Sequence, residues 1–158
     1  MRFTHKRKSR MKIIAPFFAL ITAVALSAQA QSIPQENKSM YRIQIILGEH
    51  VITGSLDDTP SVRDFVKQLP LTLELEDYGS TEKIAYPPNK LATQSAPAGI
   101  DPTVGDIAYY APWGNLALFY KDFGYSKGLI RLGRITSGVE YLKYPGTKQA
   151  TIKLISND

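Results

Sequence analysis

Cysteine is absent from all 158 residues of this chain. No disulfide can hold the fold together, and the lipid-modified cysteine of a bacterial lipoprotein is excluded, so stability has to come from burial of apolar surface. Histidine is almost as scarce: apart from His5 near the N-terminus there is only His50. The common zinc and copper sites therefore lack their usual nitrogen and sulfur ligands, and no metal is expected. A Ser-His-Asp triad would have to use His50, which falls beside a predicted hairpin turn. Neither a Gly-x-Gly-x-x-Gly run nor a Walker-type Gly-Lys-Ser/Thr loop occurs. The two commonest nucleotide signatures are thus missing, and no cofactor is expected.

A membrane-spanning run is lacking as well. Ile13 to Leu26 is uncharged and apolar but only fourteen residues long, below the roughly 18 expected of a span. Its surroundings give it another meaning. Arg2, Lys6, Arg7, Lys8, Arg10 and Lys12 precede it, and Ala28-Gln29-Ala30 follows with small residues at a cleavable spacing. Residues 1–30 read as a secretory signal peptide, with an uncleaved signal anchor as the alternative. The product is expected to begin at Gln31, to be exported to a periplasm or secreted, and to keep no stable membrane span. Removing residues 1–30 takes away six of the nineteen Lys and Arg and none of the fourteen Asp and Glu, leaving a net charge of about −1. The remaining basic residues are scattered, so nucleic acid is not an expected partner. The 128 residues left suffice for one core and are too few for two ordinary domains. Residues 31–40 read as a flexible lead and Ser156 to Asp158 as a frayed end.

What is present is mostly strand. Tyr41 to Leu47 and Val51 to Leu56 flank Gly48-Glu49-His50 as a hairpin. Thr59 is a candidate N-cap with Pro60 at the first helical position, and Val62, Phe65, Val66 and Leu69 repeat at the spacing of one helical face before Pro70. A ten-residue helix of this kind is marginal alone and is expected to dock on the strands. Leu71, Leu73 and Leu75 alternate with Thr72, Glu74 and Glu76, a period-two pattern that separates an apolar face from a polar one. Glu74 and Glu76 read as solvent-facing, and Asp57 and Asp58 as serving the turn into the helix. The interval from Tyr78 to Gly105 is rich in Gly and Pro and reads as mainly loop, with room for short strands around Lys83 to Tyr86. Ala150 to Ile155 is a closing strand.

Aromatic residues concentrate between Gly105 and Ile135, in GDIAYYAPWGNLALFYKDFGYSKGLIRLGRI. Asp106 to Ala111 and Leu116 to Tyr120 form a predicted hairpin with Pro112-Trp113-Gly114-Asn115 at its tip, and Leu129 to Ile135 a third strand, followed after Thr136-Ser137-Gly138 by another apolar run. Alternation puts Tyr109 and Tyr110 on opposite sides, and likewise Phe119 and Tyr120, so one of each pair is core and the other can line a groove. Tyr110, Trp113 and Phe119 are the candidate ligand contacts, with Asn115 able to present its amide to a ligand or cap its own turn. Successive short strands predict an all-β domain, a small barrel with one or two short helices.

These segments carry a resemblance. GDIAYYAPWGNLALFYKD, GLIRLGRI, Gly138 to Leu142, and LPLTLELEDYGSTEK at Leu69 to Lys83 resemble the bacterial minimal cyclophilin-like family, over roughly Tyr41 to Leu142. The resemblance implies a closed barrel of about eight strands with a helix over an open end, here residues 41–155. It leaves activity open. The Phe-His-Arg and Phe-x-Met-Gln runs expected of true cyclophilins are absent, and Arg131, alternating with Ile130 and Leu132, is the one arginine suggestive of a donor to a prolyl amide. Two readings follow: a non-catalytic module that binds an extended or proline-containing peptide or a small apolar ligand beside Tyr110, Trp113 and Phe119, or a weak peptidyl-prolyl isomerase.

Overall fold

The computed structural model describes residues 39–155. The signal peptide expected over residues 1–30, residues 31–38 of the expected lead and the expected frayed end at residues 156–158 lie outside the described residues. Strand pairing begins at Ser39. The strands are β1 (Ser39–Leu47), β2 (His50–Asp57), β3 (Leu71–Tyr78), β4 (Glu82–Ala85), β5 (Gly99–Ile100), β6 (Asp106–Tyr110), β7 (Asn115–Phe119), β8 (Ser126–Lys127), β9 (Leu129–Ser137) and β10 (Lys148–Leu154). Eight of them close a barrel in the order β1-β10-β3-β4-β7-β6-β9-β2, every pair antiparallel, while β5 and β8 form a separate two-stranded ribbon. Closure removes the open sheet edges that would otherwise invite intermolecular pairing.

Period-two alternation decides what fills the barrel. Ile43, Ile45 and Leu47 of β1, Ile52 and Leu56 of β2, Leu75 of β3, Ile107 and Tyr109 of β6, Leu116 and Leu118 of β7 and Ile152 of β10 share one buried cluster. On β3 the alternation is as expected, with Glu74 and Glu76 exposed. The sequence pattern also places Asp77 on the leucine side, a polar residue turned toward the core. β6 and β7 depart from simple alternation, because nearly every residue in them is buried. A second cluster, built from Ile84, Ala108, Ala117, Phe119 and Leu129, covers the outer face of β4, β7, β6 and β9. Strands buried on both faces read as continuous apolar runs, and here the extra cover comes from the β5–β8 ribbon, whose Ile100 packs on this cluster.

Helix α1 (Pro60–Val66) is capped by Thr59, whose hydroxyl accepts from the Val62 amide at 3.2 Å. It is shorter than the expected ten residues. The Gln68 and Leu69 amides turn to the carbonyls of Phe65 and Val66, three residues back, as the chain tightens ahead of Pro70. Val62 and Phe65 enter the barrel core, with Val66 and Leu69 packed against it. The apolar run after Gly138 is not a strand but a short 3-10 helix, Val139–Leu142, which sends Leu142 into the core. His50 is exposed at the start of β2 and stacks on Tyr141, 4.1 Å between ring centroids. The long interval after Tyr78 resolves into β4, the two-residue β5, and loop between them. That loop is tied to the helix by Gln68, which exchanges two hydrogen bonds with the backbone of Asn89 at 3.0 and 3.1 Å. Among the described residues no helix is long and apolar enough to cross a membrane.

Candidate functional site

The outer cluster on β4, β7 and β6 does not fill the space above it. A cavity of about 250 Å³ opens there, between the barrel wall and the chain on either side. Tyr110 reaches it from the end of β6, Asn115 and Phe119 from β7, and Trp113 from the turn between them. The structure therefore brings four of the five candidate residues named above into one wall. The hairpin accounts for the placement: Gly114 adopts φ +78°, a left-handed geometry that favours glycine, and its amide bonds the Tyr110 carbonyl at 2.8 Å. The tight turn leaves the indole of Trp113 half exposed, at 50%. It meets the rings of Tyr78 and Tyr110 edge-on, at centroid distances of 5.5 and 5.4 Å and interplanar angles of 87° and 81°.

Tyr109, by contrast, is core, and its hydroxyl accepts from the Leu91 amide at 3.2 Å. Tyr120 also turns inward, so in each adjacent aromatic pair one ring faces the core and the other lines the cavity. Asn115 is buried, at 2% exposure. Its Nδ2 donates to the Leu116 carbonyl at 3.0 Å, which fixes the amide orientation because a carbonyl can only accept. Its Oδ1 is left without a donor.

Three further contributors were not legible in the sequence. Tyr78, at the end of β3, and Phe123, in the loop after β7, expose 45% and 52% of their surface and both line the cavity. Glu82, the first residue of β4, is the one charged side chain in the wall. Burial raises its carboxyl above the usual carboxylate range, the Asp77 charge adds to this, and a hydrogen bond from the Thr81 hydroxyl works against both. β4 is only four residues long, too short for periodicity to announce which of its side chains face outward.

The fifth candidate, Arg131, is not brought to this cavity. It projects outward from β9 and donates to Asp106 Oδ2 at 2.9 Å, while Arg134 Nη1 stands 3.1 Å from the other oxygen. Asp106 is fully buried, and the Thr103 amide also donates to it at 2.9 Å. A buried carboxylate needs such partners, so Arg131 has a structural task.

A second polar group, also unforeseen, lies on the core side. Lys83 alternates with Glu82 and Ile84 and so points into the barrel, where its side chain is fully buried. Its ammonium meets Asp77 Oδ1 at 2.9 Å and donates to the Tyr144 carbonyl, lying 3.8 Å from the Tyr144 ring centroid. The Tyr120 hydroxyl donates to the same Asp77 oxygen at 2.5 Å. That bond, followed by the one from Lys83, holds the Asp77 carboxyl below its ordinary value. Burial, reinforced by the hydrogen bond to Asp77, pushes Tyr120 up to about 12.

These shifts set both limbs of the pH–stability profile. A carboxyl depressed in the fold adds stability that is present above its unfolded pKa and lost as pH falls through the folded value, here below about 4. A phenol raised from 10 to about 12 adds stability that is complete below pH 10 and lost between 10 and 12. Burial also pushes the Tyr144 hydroxyl up to about 12, so the two phenols share the alkaline limb; urea midpoints measured across pH are expected to fall at both ends, and Tyr120→Phe to shrink the alkaline limb without abolishing it. An unchanged alkaline limb in that variant would refute the assignment to Tyr120.

No curated protein matches the chain. The solution structure of a hypothetical protein from Archaeoglobus fulgidus is similar, with a TM-score of 0.55 and 16% identity, covering 78% of this chain and 100% of that one. At that identity the likeness speaks for the fold alone. A sequence model of the Cyclophilin-like family matches residues 45–153, which span β1 to β10 and every residue of the cavity wall. With the closed eight-stranded barrel and a match over more than half its length, the chain belongs to the Cyclophilin-like family.

Proposed function

We propose that this protein is an exported, non-catalytic binding module, and that the outer cavity receives part of an extended peptide, such as a prolyl or other apolar side chain, or a small apolar ligand. The observation that carries the proposal is the wall itself: exposed Tyr78, Trp113 and Phe123 beside the apolar floor of Ile84, Ala117 and Phe119. Apolar concavity with a few convergent polar groups is the general form of a ligand site. At about 250 Å³ the cavity is below the roughly 300–1,000 Å³ of drug-sized sites, which suits a single side chain or a fragment-sized molecule. Export rests on the basic start, apolar run and Ala-x-Ala of residues 1–30.

Isomerisation of a prolyl bond asks for more than a pocket. The intrinsic barrier is about 18–20 kcal/mol, and lowering it calls for a donor near the prolyl nitrogen. Among the described residues that line the cavity none is cationic, and Arg131 is committed to Asp106 elsewhere. Binding without catalysis is the better fit.

The test is an NMR titration of the labelled protein with a short Ala-Pro peptide, following exchange between the peptide's cis and trans resonances in the same samples. Shifts at Tyr110, Trp113, Asn115 and Phe119 without enhanced exchange are expected. Trp113→Ala and Tyr110→Ala should each weaken binding by about 1–2 kcal/mol, the loss expected on truncating an aromatic contact. Enhanced exchange would make the protein an isomerase. Undiminished binding in both variants would remove this cavity as the site.

A further inference from the structure

The cavity wall has a sign. Among the described residues that line it, Glu82 is the one charged side chain. Trp113 stands nearly perpendicular to both Tyr78 and Tyr110, and all three residues line the same space. The face of an aromatic ring is the negative part of its quadrupole and attracts a cation within about 6 Å of its centroid. A carboxylate beside aromatic side chains complements one chemistry: a cation that also donates hydrogen bonds.

We infer that the occupant of this cavity carries a protonated primary amine on an apolar stem, its ammonium against Glu82 and its stem among Tyr78, Tyr110 and Trp113. This rests on the reading of the cavity as a ligand site and adds the class of ligand. A primary ammonium can donate N–H groups to the Glu82 carboxylate, whereas a quaternary ammonium has none to give. A guanidinium is wider and demands a planar, bidentate partner, which the hydrogen bond from Thr81 to one Glu82 oxygen obstructs. The size of the cavity, about 250 Å³, suits a lysine side chain or a small arylalkylamine. The position of Glu82 supports the inference from the side of stability. Its carboxyl is raised by burial, so the fold disfavours the ionised form, a cost that an arriving ammonium would offset.

The decisive probes are 3-phenylpropylamine and its neutral isostere 3-phenylpropan-1-ol, titrated by NMR into the unmodified protein and into Glu82→Gln. The glutamine keeps an acceptor for Thr81 and removes a charge the fold disfavours, so the variant should be at least as stable as the parent. The amine is expected to bind about tenfold or more tightly than the alcohol, the scale of one charge-assisted hydrogen bond, and Glu82→Gln to abolish that preference while leaving the alcohol unaffected. Nα-acetyl-lysine methylamide identifies the source. Binding comparable to that of the free amine assigns a peptide's lysine, and binding of the free amine alone assigns a small molecule. Equal binding of amine and alcohol in the parent protein overturns the ammonium and leaves the cavity intact as an apolar site. A response to the Ala-Pro peptide with none to the amine also overturns it. Silence toward every probe overturns both readings together.

Discussion

Gly133→Ala is expected to destabilise the barrel by about 3 kcal/mol or more, the upper end of what overpacking costs, and to leave the protein largely unfolded if its total stability is at the low end for a domain. A Cβ built at Gly133 would lie 2.0 Å from the Ser55 carbonyl oxygen and 2.7 Å from Leu56 Cα. Both are backbone atoms of β2 and cannot rotate aside, so β2 and β9 would have to part. Gly133 pairs with Leu56 on one side and with Ile107 on the other, next to an irregularity in the β6–β9 register. Parting the strands there opens the closed circuit of hydrogen bonds, which is why the penalty exceeds that of a cavity of one methyl. Gly124→Ala is the control: nothing lies within 4 Å of its Cβ position, and the change should stay within about 0.5 kcal/mol. Urea midpoints of the two variants give the comparison. Parity between them would mean that the strands do not approach each other as described.

Lys83→Met is expected to cost about 3 kcal/mol. The substitution keeps the apolar stem and removes the ammonium, leaving the Asp77 carboxylate and the Tyr144 carbonyl without their buried donor. Breaking one half of a buried ion pair costs about 3–5 kcal/mol, and the lower end applies because the Asp77 side chain is 26% exposed and keeps its bond from Tyr120. Replacing both partners, as Lys83→Met with Asp77→Leu, is expected to recover most of the loss, since a buried pair is worth little more than well-packed apolar groups of similar volume. The double variant should also lose the acid limb of the pH–stability profile. A double variant as unstable as the single one would show that the network does something that packing cannot replace.

Seen through these residues, the reach of the sequence is uneven for physical reasons. The leucine alternation of β3, the capped helix after Thr59 and the hairpin around Trp113 are local: propensity, side-chain spacing and turn chemistry lie within a few residues of one another. The pairing of Tyr110, Trp113, Asn115 and Phe119 in one wall was legible for the same reason, because a tight hairpin places its own flanking side chains side by side. Glu82 and Tyr78 join that wall only because β3, β4 and β7 are neighbours in the barrel. No local pattern reports such neighbours.

Arg131 shows the limit from the other direction. Strand alternation placed it facing outward, but not whether its partner would be a ligand or the protein. Asp106, twenty-five residues earlier, decided that by pairing with it across β6 and β9. Lys83 is the sharper case. Composition and hydropathy put a lysine on the surface, and here β4 turns it inward, where Asp77 and the chain around Tyr144 supply the partners that make its burial tolerable. The sequence by itself determined an all-β domain, its capped helix and the side chains that share a hairpin, since these follow from interactions between near neighbours along the chain. Only the tertiary structure decided the closure of the barrel, the cavity over its outer face and the partners of each buried charge, because those depend on which distant strands come to lie side by side.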